Sequence, residues 1–78
     1  MALTIEQVSD VAREFAKSNG YPYSRLESVE DKNGVWTVIL DPLIMFEPVI
    51  LELKIKEEQL MPKVIGFARK PKLPTKSV

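Results

Sequence analysis

The sequence predicts an α+β domain in which one N-terminal helix packs on a three- or four-stranded antiparallel β-meander. Three observations carry this expectation. Apolar residues recur at helical spacing from Ile5 to Ala16. Asn33-Gly34, the strongest short hairpin signal, separates two strand-like runs. Val49 to Lys56 then alternates apolar and charged residues with a period of two. A chain of 78 residues has room for one domain, placed here at residues 1–70, followed by a flexible basic tail at 71–78.

The helix is expected from Ile5 to Ser18. Thr4 and Gln7 have the spacing of a capping box, and Leu3 and Val8 stand where a hydrophobic staple packs. Ile5, Val8, Val11, Ala12, Phe15 and Ala16 form the apolar stripe. Gly20 supplies the left-handed end, and Pro22 blocks continuation.

A strand is expected from Tyr23 to Glu30. Its apolar positions, Leu26 and Val29, fall out of phase, which a β-bulge or an early end to pairing reconciles. Asp31 to Gly34 is the turn, and Val35 to Leu40 the second strand, with Trp36, Val38 and Leu40 on one face. In the following connection, Pro42 and Pro48 bracket the apolar run Leu43-Ile44-Met45-Phe46. Proline cannot donate to a sheet ladder, so both mark strand ends or an edge. The strand from Val49 to Lys56 turns Val49, Leu51, Leu53 and Ile55 inward and Glu52, Lys54 and Lys56 outward. Glu57 to Pro62 reads as a loop and Lys63 to Arg69 as the last strand, with Gly66 a candidate bulge or site of close backbone approach. The expected core is Trp36, Val38, Leu40, Leu51, Leu53 and one parity of the last strand.

Composition narrows the chemistry. The chain has no Cys and no His, so it lacks thiolate chemistry, the commonest general base and the commonest metal ligand. The adjacent acids Glu30-Asp31 and Glu57-Glu58 lie at turns and read as solvated charge rather than an acid–base pair. The serines have no His to activate them, and the three glycines are isolated, so no phosphate loop is written. The sequence therefore predicts no catalytic residues, no metal site, no cofactor and no enzymatic activity. The longest internal apolar run is far below the ~20 residues a membrane span requires. Met1 to Thr4 does not read as a signal peptide, so a cytoplasmic location is expected.

Basic and acidic residues are equal in number, 11 each, but unevenly placed. All the acids lie within residues 1–62, whereas Lys63, Arg69, Lys70, Lys72 and Lys76 follow with no acid among them. Arg69, Lys70, Lys72 and Lys76 are thus candidate anion contacts, with Phe67 and Tyr21 or Tyr23 as candidate stacking rings. This makes nucleic acid, or another anionic polymer, the alternative partner. The acidic body weighs against it.

Leu43, Ile44, Met45 and Phe46 are the candidate partner-binding residues. On a proline-bracketed loop they form an exposed docking patch, or they fold over the sheet edge and complete the core. A single helix covers one face of a sheet, so Val35, Ile39 and Ile50 on the other face are expected to stay partly wet. A second copy of the chain, or another protein, is the natural cover.

The residues Gly34, Trp36-Thr37-Val38, Leu51 to Ile55 and Val64 to Lys70, behind one capped helix, carry a family resemblance. Together they resemble the gas-vesicle protein O family and the PepSY-type small domains, in which a helix precedes strands. The resemblance runs over roughly residues 4–70 and implies an accessory or regulatory binding role without catalysis. The connection from Asp41 to Pro48 departs from both patterns, and the tail is shorter and less Arg-rich than that of a gas-vesicle O protein.

Overall fold

A computed structural model describes residues 3–46 and 48–71. The order is α1 (Ile5–Ser18), β1 (Arg25–Lys32), β2 (Val35–Asp41), β3 (Val49–Glu58) and β4 (Met61–Pro71). The four strands form one antiparallel sheet in the order β1-β2-β3-β4, with α1 across one face. The predicted α+β class and meander are both present.

The ends of α1 are fixed by the residues the sequence singled out. Thr4 Oγ1 accepts from the Gln7 amide at 3.1 Å, and Gln7 Oε1 accepts from the Thr4 amide at 2.8 Å. At the other end, the Tyr21 amide donates to the Ala16 carbonyl at 2.9 Å and the Gly20 amide to the Lys17 carbonyl at 3.3 Å. This paired arrangement satisfies carbonyls that the last turn would otherwise leave open. Within the stripe, Val8, Ala12 and Ala16 are buried, and Val11 and Phe15 pack against the core. Ile5 differs from expectation: in the first turn, beyond the sheet's cover, it is 57% exposed.

Both edge strands carry a bulge. In β1 the register passes from Leu26↔Leu40 to Ser28↔Ile39, so Glu27 is the extra residue. That slip brings Leu26 and Val29, three apart in sequence, onto the helix side together. In β4 the register passes from Val64↔Ile55 to Gly66↔Lys54, so Ile65 is the extra residue, next to the glycine that suggested it. Val64 and Phe67 are thereby brought onto the helix side, replacing the single parity expected there.

Strand boundaries differ from the expected ones in four places, one of them the end of β2 at Asp41 rather than Leu40. β1 begins at Arg25 rather than Tyr23 and extends to Lys32, leaving only Asn33 and Gly34 in the turn. The segment Glu57 to Pro62, expected as a loop, continues both strands around a two-residue turn at Gln59-Leu60. Pro71, expected in the tail, ends β4 opposite Val49. The rest of the predicted tail, including Lys72 and Lys76, lies outside the described residues.

The core consists of Leu3, Val8, Ala12 and Ala16 against Val38, Leu40, Leu51, Leu53 and Ile55. Trp36 is half-buried at its margin. Each fully buried Leu, Ile or Val contributes roughly 1.5–3 kcal/mol of transfer free energy. Among the described residues, no helix is long and apolar enough to cross a membrane.

Candidate interaction surface

The sheet has two unlike ends. Both hairpin turns lie at one end, whereas the β2–β3 connection, the start of β1 and the finish of β4 share the other. The apolar run sits at this second end. Pro42, directly after β2, is buried. From there the chain emerges and displays Leu43, Ile44, Met45 and Phe46, all exposed, with Met45 at 88% and Phe46 at 90%. The alternative in which these residues fold over the sheet edge and complete the core is overturned, since their apolar groups face solvent.

Asp41 holds the loop in this position. It is buried, and its Oδ1 accepts from the Leu43 amide at 2.9 Å. This local turn stabilises a Leu43 backbone with φ of 60°, a left-handed conformation that Leu seldom adopts. The other Asp41 oxygen lies 3.6 Å from the Arg25 guanidinium, which also donates to Glu27 at 2.9 Å. The guanidinium pKa is raised above its ordinary value, chiefly by the hydrogen bond to Glu27. A shallow hollow of about 380 Å³ beside the loop is lined by Leu43 and Tyr23, with Arg13, Glu14 and Lys17 of α1 on its other wall. Tyr23, 74% exposed, thus extends the apolar surface beyond the four loop residues. Its place was hidden in the sequence because it belongs to a different connection.

The open face of the sheet is organised differently. Pairing across the strands puts Thr37, Lys54 and Gly66 in one row and Ile39, Glu52 and Ala68 in the next. Lys54 Nζ donates to Thr37 Oγ1 at 2.9 Å and lies 3.7 Å from Glu52. Lys70 is ion-paired to the other Glu52 oxygen. The Lys70 hydrogen bond is the main cause holding the Glu52 carboxyl below its ordinary pKa, with Lys54 adding to it against partial burial. Val35, Ile39 and Ile50 are half-buried, as expected, and each has a charged residue opposite it in the ladder: Lys32 and Lys56, Glu52, and Lys70 respectively. Long charged side chains cover apolar neighbours with their methylene stems while their heads stay wet. Strand parity already puts Glu52 and Lys54 on this face, but their pairing with Lys70 and Thr37 depends on the cross-strand register.

Of the predicted basic end, the two described residues Arg69 and Lys70 take opposite faces of the sheet. Arg69 pairs with Leu51 and so belongs to the helix side of the sheet, whereas Lys70 pairs with Ile50 on the open side. Phe67 packs inside the helix–sheet contact, 5.2 Å from the Phe15 ring and 6.4 Å from the Tyr21 ring. Tyr23 is absent from that cluster and stands beside Leu43 instead. Among the described residues, no three acidic side chains converge in a metal-binding cluster.

No family model, no curated protein and no solved structure matches this chain.

Proposed function

We propose that this chain is a cytoplasmic, non-enzymatic protein-interaction or assembly module that docks its partner through Leu43, Ile44, Met45 and Phe46, with Tyr23 beside them. The observation that carries this reading is the near-complete exposure of Met45 and Phe46 on a loop anchored from behind by buried Asp41 and Pro42. Apolar side chains gathered at one place on a small domain mark contact surfaces, and Met and aromatic residues are the types enriched there. An accessory role of this kind is also what the resemblance to gas-vesicle O and PepSY-type domains implies.

Binding of an anionic polymer through Arg69, Lys70, Lys72 and Lys76 has less support. Lys70 is engaged by Glu52, and Arg69 belongs to the opposite side of the sheet. Capture from an extract of the source organism separates the two readings, using the full chain, Phe46→Asp, and a chain ending at Lys70. Loss of the captured protein with Phe46→Asp alone supports docking through the loop. Loss only with the shortened chain, together with steep weakening between low and moderate salt, supports the polymer.

A further inference from the structure

We propose that the loop-end patch is an isologous interface, in which Tyr23 and Leu43 to Phe46 of one chain meet the same residues of a second copy. The inference rests on the docking reading above and names the partner.

Area is the first argument. Phe46 and Tyr23 each offer up to ~150–250 Å² of aromatic side chain, and both are largely exposed. With Met45, Leu43 and Ile44, all exposed, the patch presents on the order of 600 Å² per copy when wholly covered. Two such patches face to face therefore reach the ~1,200 Å² at which stable protein interfaces begin. An isologous contact about a two-fold axis closes at a dimer and leaves no surface for further growth.

Charge is the second. The hollow beside the patch carries both signs, with Arg13 and Lys17 flanking Glu14. A two-fold axis can set the cations of one copy against the carboxylate of the other. A rim of a single sign would repel its own copy and select an opposite partner. The whole chain has formal net charge +0, so no long-range repulsion opposes the encounter.

The hairpin end exposes fewer large apolar residues, Leu60 and Met61, and the open face and the sheet edges offer a second copy less. The open face is laced by Thr37, Lys54, Glu52 and Lys70. Both edge strands are interrupted by bulges at Glu27 and Ile65, which discourage edge-to-edge pairing.

Sedimentation equilibrium of the full chain from about 10 µM to about 1 mM tests the proposal, since that span brackets weak and moderate self-association. The wild type is expected to approach twice the chain mass. Phe46→Asp and, independently, Met45→Glu are each expected to weaken the dimer at least tenfold with unchanged circular dichroism. Lys56→Ala on the open face should leave it unaltered. A wild type that stays monomeric throughout, or a dimer that neither loop variant weakens, overturns the proposal. A monomer that still captures a different protein, lost with Phe46→Asp, refutes the second copy as occupant and leaves the docking reading standing. A monomer that captures nothing refutes both.

Discussion

The two faces of the sheet solve the same problem in different ways. Beneath α1, Val38, Leu40, Leu51, Leu53 and Ile55 are fully buried in one apolar cluster with the helix. On the other face, half-buried Val35, Ile39 and Ile50 alternate with Thr37, Lys54, Glu52 and Lys70, which bond to one another across strands. The contrast shows that an uncovered face does not by itself require a partner. A lone helix shields half of the sheet, and a charged ladder dresses the rest. At the loop end, among the described residues, nothing comparable covers Met45 and Phe46, which is where the proposed docking falls.

This comparison can be broken or sharpened by substitution. The largest effect belongs to the helix side: Leu53→Ala should cost roughly 2–5 kcal/mol in chemical denaturation, from lost transfer free energy and the cavity left behind. A cost below about 1 kcal/mol would mean that the two faces are not as unlike as described.

The two hairpin turns sharpen it next. Asn33 and Gly34 have φ of 53° and 85°, and Gln59 and Leu60 have φ of 51° and 67°. The backbone signature is the same, but Asn and Gly accept it readily and Leu does not. Leu60 is also 72% exposed, so its side chain gains little from burial. Leu60→Gly should therefore raise the thermal midpoint, by roughly 0.5–1 kcal/mol of stability, whereas Gly34→Ala should lower it by a similar amount. Equal and opposite shifts would confirm that the second turn is imposed by the long β3–β4 pairing.

On the open face, Glu52→Gln should cost about 0.5–1 kcal/mol near neutral pH, because it weakens a charge-assisted contact on a partly wet surface. Its pH dependence is the sharper readout. The Glu52 carboxyl has its pKa lowered in the folded state from the ordinary 4.5. Its contribution is therefore complete above that value and is lost as pH falls through the lower folded one. Unfolding followed between neutral and acidic pH should show a shallower acid loss in Glu52→Gln than in wild type.

The smallest effect on stability is expected at the loop. At protein concentrations where the chain is monomeric, Phe46→Asp should change unfolding free energy by less than about 0.5 kcal/mol, because the residue is 90% exposed. A large loss would show that the ring helps hold the fold.

Most of the fold was legible because local signals agreed with tertiary ones. The Thr4–Gln7 box, the Asn33-Gly34 turn and the alternation after Val49 each satisfy backbone and burial together. The out-of-phase pair Leu26 and Val29 even announced its bulge. The second hairpin was not legible, because Gln59-Leu60 carries no turn chemistry and its conformation follows from pairing on both sides. The candidate surface was half legible. Two prolines marked Leu43 to Phe46, but exposure depends on Asp41 and buried Pro42, and Tyr23 joins from a separate connection. Net charge along a chain does not show which face each residue takes: Arg69 and Lys70 are neighbours in sequence and opposites on the sheet.

A dilution series of amide nuclear magnetic resonance spectra on the full chain addresses the central claim most directly. Concentration-dependent shifts should gather at Tyr23 and Leu43 to Phe46 and spare Ile39, Ile50 and Lys54. Shifts centred on the open face, or none across the whole range, would contradict it.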